Sequence, residues 1–359
     1  MQIDSETIID KRVFRAAIKD AVKTAKAVNL VYVSNKEDGY HRKRKGTSFY
    51  YTDNGRKITD KEILERIRKL VIPPAWENVW ICKSENGHLQ VTGIDKLGRK
   101  QYRYHASWNN IRNHTKFFRL LEFGKQLPAM RAVLEKNLAQ PGYPREKVLA
   151  AIVSLLEQTK IRIGNAFYEK LYGSFGLTTM KNHHVKVEGA KVEFTFKGKK
   201  GVQHKIDLRS KKLANIVKGC KEIPGKELFE YIDSDGNIHK IDSGMVNEYI
   251  RKISEGDFSA KDFRTWAGST QALLAFKELG GFESVTEMNK KIPAVFDMVA
   301  EQLGNTRTVC KKYYVHPSII TLYEEQKLDK YLNELENPSS NDLGLMPEEI
   351  VLMKILERN

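Results

Sequence analysis

Apolar positions follow two rhythms along this chain, and the change between them divides it. Over residues 28–104 they alternate with polar ones in short runs: Leu30-Val31-Tyr32-Val33, Thr47-Ser48-Phe49-Tyr50-Tyr51, Val79-Trp80-Ile81-Cys82 and Leu89-Gln90-Val91-Thr92-Gly93. Turn signals at Asp53-Asn54-Gly55, Pro73-Pro74, Asn86-Gly87 and Leu97-Gly98 separate them, which predicts a small, mostly antiparallel sheet. One helix interrupts it over Asp60–Leu70, with Ile63, Ile67 and Leu70 on one face and Thr59 as its cap. From Trp108 the spacing becomes helical. Phe117, Leu120, Leu121 and Leu127 precede a break at Pro141-Gly142-Tyr143-Pro144, and Val148, Ile152, Leu155 and Leu156 mark the next helix. Alternation returns between Val185 and Leu208. There Val192, Phe194 and Phe196, then Val202, His204, Ile206 and Leu208, flank a hairpin tip at Lys197-Gly198-Lys199-Lys200-Gly201.

These patterns predict an α+β protein. A small β-rich domain occupies residues 1–107, and a larger, mainly α-helical domain with a three-stranded β excursion occupies 108–335. Residues 336–359 form a tail with a short helix, appended through the link at Asn337-Pro338-Ser339-Ser340-Asn341.

Charge narrows the partner. The chain carries 61 Lys+Arg against 45 Asp+Glu, a net +16 over 359 residues, which suits a polyanion. Its three cysteines, Cys82, Cys220 and Cys310, are far apart, with no CxxC pair. That spacing points to a reducing compartment without a disulfide framework or zinc site. No basic-then-apolar leader opens the chain and no apolar run reaches membrane-spanning length, so a cytoplasmic protein is expected.

Read in chain order, Arg162, Lys199, Arg264, Asn305 and Tyr314 supply three cations, an amide and an oxygen nucleophile. Each has an ordinary reading of its own. Arg162, between two isoleucines, could make a structural ion pair, or grip two phosphate oxygens with its planar guanidinium. Lys199 and Lys200, at a glycine-flanked turn, could be merely solvated, or could reach a bound strand and protonate a departing oxygen. Ser259-Ala260-Lys261-Asp262 reads as a capping box, so a helix starts there and Arg264 leaves its opening turns. The macrodipole gives a cation no reward at that end, whereas a bound phosphate would. Asn305 after Gly304 is a common helix stop. Tyr314 could be an ordinary aromatic; free tyrosine titrates near pH 10, so a nucleophilic role requires surrounding cations. Together the five fit metal-free attack on a phosphodiester.

Longer segments carry a resemblance. They are Val71-Ile72-Pro73-Pro74-Ala75-Trp76; Thr92-Gly93-Ile94-Asp95 through Gly98-Arg99-Lys100-Gln101-Tyr102-Arg103-Tyr104-His105; Ile161-Arg162-Ile163-Gly164-Asn165; Tyr172 through Thr179; Lys261 through Gly268; and Leu303-Gly304-Asn305-Thr306. Over nearly its whole length the chain resembles the poxvirus-type DNA topoisomerases IB of bacteria. The resemblance implies a β-rich domain and a helical catalytic domain that close as a monomeric clamp on duplex DNA, preferentially supercoiled. It further implies a nucleoid-associated enzyme that relaxes DNA through a 3′-phosphotyrosyl intermediate and needs neither ATP nor metal.

By the same resemblance Tyr314 is the nucleophile, Arg162 and Arg264 stabilise the transition state, and Lys199 is the general acid. Asn305 stands where poxvirus enzymes carry histidine. Gln101, Tyr102, Tyr104, Tyr168 and Lys261 match DNA-contacting positions. The nine-residue spacing from Asn305 selects Tyr314 over Tyr313. Two rivals stay open: a tyrosine recombinase, which would usually carry histidine where Lys261 stands, and a non-catalytic DNA clamp.

Overall fold

The computed structural model describes residues 21–46, 48–96, 98, 100–335 and 344–358, and their side chains except those of 21, 109–116 and 118. Thr47, Leu97, Arg99 and the predicted link at 337–341 lie outside the described residues. Contacts divide the chain into units at 1–118 and 119–359.

The first unit holds helix α1 (Ala21–Lys26), a six-stranded sheet and helix α2 (Lys61–Lys69). The strands are β1 (Gly39–Lys45), β2 (Ser48–Asp53), β3 (Arg56–Lys57), β4 (Glu77–Cys82), β5 (Leu89–Ile94) and β6 (Lys100–Tyr104). Their order is β3-β2-β1-β4-β5-β6, antiparallel throughout. Tyr40, Ile58, Ile67, Val79, Ile81 and Val91 form the core between sheet and helix. The cap of α2 is Asp60 rather than Thr59: Asp60 Oδ1 accepts from the backbone N–H groups of Glu62 (2.8 Å) and Ile63 (3.1 Å).

Two strand expectations change. Leu30–Val33 is no strand; Val31 makes only an isolated bridge to Gly87. Leu30 and Val33 are buried while Val31 and Tyr32 are exposed, so the apolar run covers neighbouring side chains instead of alternating across a sheet. Conversely, β1 has no apolar alternation because its inward residue after Tyr40 is a cation. Arg42 is buried and donates to the carbonyls of Ile72 (3.4 Å), Pro73 (3.0 Å) and Trp76 (2.6 Å). One guanidinium thus shapes the Val71–Trp76 loop. Trp76 then packs on Gly93, where a Cβ would lie 2.8 Å from the indole.

Helix α3 (Ala106–Leu138) runs on into the second unit. There follow α4 (Arg145–Thr159), α5 (Ala166–Tyr172), a three-stranded antiparallel sheet of β7 (Val185–Glu188), β8 (Lys191–Lys197) and β9 (Gln203–Arg209), and α6 (Lys211–Glu222). A short hairpin, β10 (Glu230–Ile232) and β11 (Ile238–Lys240), which periodicity did not signal, precedes α7 (Ser243–Ser254). The remaining helices are α8 (Ala260–Leu279), α9 (Val285–Leu303), α10 (Arg307–Tyr313), α11 (Pro317–Glu324), α12 (Asp329–Leu332) and α13 (Pro347–Glu357). Helix α8 starts at the capping box, with Asp262 Oδ2 accepting from the Ser259 N–H at 2.8 Å. No helix among the described residues is long and apolar enough to cross a membrane.

Helix α13 is not the appendage the sequence suggested. Val351, Leu352, Ile355 and Leu356 belong to the main core of the second unit. Glu349, also buried, accepts from Arg131 at 2.9 Å and from the Trp266 indole N–H at 2.9 Å. Arg131 also reaches Glu157 at 2.7 Å, so one cation joins α3, α4 and α13. Burial raises the Glu157 carboxyl above its usual range, and Arg131 opposes that shift. Because Ile355 is fully buried, Ile355→Ala should lower the unfolding free energy by about 3 kcal/mol in urea titration. A loss under about 0.5 kcal/mol, the scale of surface substitutions, would mean that the helix is peripheral.

Candidate nucleic-acid active site

Arg162, Lys199, Arg264, Asn305 and Tyr314 all fall in the second unit. Arg162 lies in the extended segment between α4 and α5, which is fixed through its backbone. Leu177 N–H donates to the Arg162 carbonyl (2.9 Å) and Thr178 N–H to that of Ile163 (2.7 Å). Gly176 makes this approach possible, since a Cβ there would lie 2.5 Å from the Arg162 oxygen. Two of the sequence segments, Ile161–Asn165 and Tyr172–Thr179, are therefore one interlocked structure. Phe175 N–H donates to the Lys197 carbonyl at 2.8 Å, tying the β8–β9 hairpin to it.

The arginines meet at the end of α9. Arg162 Nη2 donates to the Gly304 carbonyl (2.9 Å) and to Asn305 Oδ1 (2.6 Å). Arg264, 5% exposed, donates through Nη2 to the Leu303 carbonyl at 2.7 Å and through Nη1 to the Lys160 carbonyl at the end of α4. Its guanidinium thus leaves the start of its own helix and sits at the C-terminal ends of two others, where the macrodipole favours a cation. Among the described residues neither arginine has a carboxylate partner. Burial, and next the charge of Arg264, push Arg162 down to about 10. The buried side-chain donors without a partner among the described residues are Arg264 Nε and Asn305 Nδ2.

Tyr314 closes α10, half-buried, with the Arg264 Cζ 5.4 Å from its ring centre. Its carbonyl accepts from Ser269 Oγ (3.2 Å), which itself accepts from the His316 N–H (3.0 Å). Gly268 lies one turn beyond Arg264 on the same face of α8. A Cβ there would be 2.6 Å from the Tyr314 carbonyl oxygen and 2.8 Å from its Cβ. One helix face thus holds the arginine and seats the tyrosine. Cys310, beneath them, is buried and its thiol is pushed up to about 11 by burial.

A groove of about 800 Å³ opens over this group, lined by Arg162, Lys199, Asn305, Tyr314 and also Lys160 and His204. Lys199 is exposed at the hairpin tip, where Lys200 takes a left-handed conformation (φ 62°). Periodicity treated His204 only as a strand residue. The available signal was its register, directly opposite Phe196 beside the lysine tip.

The expected DNA-contacting residues are divided between the two units. In the first unit Gln101, Tyr102 and Tyr104 are on β6, an edge strand. Gln101 donates to Asp95 at 2.8 Å, and the exposed Tyr102 stacks on Tyr104 at 6.0 Å. In the second unit Tyr168 is exposed on α5 and Lys261 is exposed in the first turn of α8.

Comparison with known proteins places the chain. Residues 105–338 match the family model for the catalytic core of eukaryotic DNA topoisomerase I, and residues 48–95 match the N-terminal domain of bacterial DNA topoisomerase IB. A DNA topoisomerase 1B of Acanthamoeba polyphaga mimivirus is 33% identical over 296 residues, covering 80% of this chain and 88% of that protein. The DNA topoisomerase 1B of Vaccinia virus (strain Copenhagen) is 22% identical over 273 residues, covering 74% and 82%. The chain belongs to the type IB DNA topoisomerases.

Gly268→Ala should force Tyr314 from its seat and slow DNA relaxation by at least about tenfold, for a stability cost of about 1–3 kcal/mol. Wild-type relaxation by this variant would show that the contact does not set the tyrosine's position.

Proposed function

We propose that the second unit cleaves and reseals one strand of duplex DNA with Tyr314 as nucleophile. The observation that carries this reading is the buried Arg264 beside the half-buried Arg162, neither with a carboxylate partner among the described residues, together with two buried donors, Arg264 Nε and Asn305 Nδ2, that have no partner among those residues. Each such donor costs about 1–3 kcal/mol of desolvation unless something accepts from it. A phosphodiester between Arg162, Arg264 and Asn305 supplies both the anion and the acceptors.

The Tyr314 phenol oxygen attacks phosphorus, losing its proton to solvent, while the bond to the 5′ oxygen breaks. Arg162 and Arg264 hold the equatorial oxygens where charge accumulates. Asn305 donates its amide N–H to one of them, a weaker contact than a charged group would give. Lys199, at the mobile end of a long side chain on the hairpin tip, gives its proton to the departing 5′ oxygen. The strand is then held as a 3′-phosphotyrosine with its bond energy retained. The free 5′ hydroxyl rotates and attacks the phosphorus in turn, expelling Tyr314. No step calls for a nucleotide or a metal ion.

Gln101, Tyr102, Tyr104, Tyr168 and Lys261 serve as further DNA contacts, through the exposed rings of Tyr102 and Tyr168, the half-buried Gln101 and Tyr104, and the Lys261 cation. The net charge of +16 favours duplex binding by counterion release. We further assign the enzyme a monomeric clamp around supercoiled DNA, associated with the nucleoid in a cytoplasmic setting.

Relaxation of supercoiled plasmid in EDTA without ATP tests this reading. The wild type and Tyr313→Phe should relax DNA, and Tyr314→Phe should be slower by at least about 10⁴-fold. Relaxation that survives Tyr314→Phe, or that requires metal or ATP, would refute it.

A further inference from the structure

His204 lies between the two backbone turns that carry Lys199 and Asn305, and it fills the space between them. Its ring stacks on Phe196 at 5.0 Å and 21°. A Cβ at Gly198 would be 2.5 Å from the imidazole Cδ2, and one at Gly304 would be 2.2 Å from Cε1. The imidazole therefore touches bare backbone on two sides, once in the lysine-bearing turn and once in the asparagine-bearing turn.

The two glycines differ in an informative way. Gly304 has φ +55° and ends α9, so its conformation alone favours glycine. Gly198 has φ −91°, open to any residue, so backbone strain does not call for glycine there. What calls for it is the approach of the His204 ring. Within the turn itself Gly198 N–H donates to the Val202 carbonyl (2.7 Å) and Gly201 N–H to the Gly198 carbonyl (3.1 Å), and the base of the tip is tied to Phe175 through the Lys197 carbonyl (2.8 Å). Burial, then Arg162 and Arg264, push the imidazole below its usual range, so it is neutral at physiological pH and adds no third charge beside the arginines.

We propose that His204 is a positioning residue that docks the Gly198–Lys199 turn against the Gly304–Asn305 turn, setting where the Lys199 ammonium meets the departing 5′ oxygen. This rests on the reading of Lys199 as the general acid. Without the ring the hairpin tip has lost its wedge against the end of α9, and Lys199 samples positions from which proton transfer is slow. A misplacement of about 1 Å is enough to cost roughly 10²-fold in rate.

The test compares single-turnover cleavage of a duplex at its mapped site with the same duplex carrying sulfur at the bridging 5′ position. A thiolate leaves without a proton because thiols are far more acidic than alcohols, so this substrate bypasses the acid. His204→Ala should slow cleavage of the oxygen substrate by about 10- to 100-fold and approach the wild type on the sulfur substrate, with the shape of the pH–rate profile unchanged. Gly198→Ala, which keeps the imidazole but blocks its seat, should behave in the same way, and it carries the test if His204→Ala fails to fold.

Equal losses of His204→Ala on both substrates would overturn the proposal, as would wild-type cleavage of the oxygen substrate by Gly198→Ala. Lys199→Ala is the control for the underlying reading. If sulfur fails to restore that variant, Lys199 is not the acid; if sulfur restores Lys199→Ala alone, only the role of His204 falls.

Discussion

Two guanidinium groups, the buried one of Arg264 and the half-buried one of Arg162, meet at the end of α9, and among the described residues they are held by carbonyl oxygens instead of carboxylates. The end of α4, the segment that follows it, α8 and the end of α9 together make that arrangement. A carboxylate would neutralise the arginines and leave them nothing to offer a ligand. The terminal carbonyls of α4 and α9 carry only the partial negative charge of helix ends, enough to orient a cation and too little to cancel it. The depression of Arg162 by burial and by Arg264 is the electrostatic consequence. On the proposed reading, a phosphate entering between them would relieve both the repulsion and the unpaired donors, most of all when its equatorial oxygens carry the charge of the transition state.

Holding the pair depends on parts of the chain far from the groove. Helix α8 presents Arg264 and Gly268 on one face and Trp266 on another. The indole of Trp266 donates to Glu349 of α13, which Arg131 of α3 also holds. The last helix is thus coupled through two residues to the helix that seats the tyrosine. In the first unit a different guanidinium, Arg42, orders a loop by the same device of donating to several carbonyls at once.

Much of this was legible in the sequence where local chemistry decides the outcome. The capping box at Ser259–Asp262, the glycine stop before Asn305 and the β8–β9 hairpin all appear as read. The nine-residue spacing to Tyr314 falls on the residue that Gly268 accommodates. Features set by distant partners were not legible. Strand β1 hid because its inward position is an arginine, and α13 looked detachable because its partners lie far back along the chain. Arg264 was expected to face an anion at its own helix start, yet its guanidinium reaches the ends of two other helices. His204 left no mark beyond alternation, since what defines it is two glycines brought together only by folding.

Trapping the covalent intermediate tests the central claim most directly. The protein would react with a duplex whose cleaved fragment diffuses away, and the adduct would be digested and sequenced by mass spectrometry. The account predicts a nucleotide joined by its 3′ phosphate to Tyr314, and no adduct when Arg264 is replaced by alanine. A 5′-linked adduct, or one on Tyr313, would contradict it.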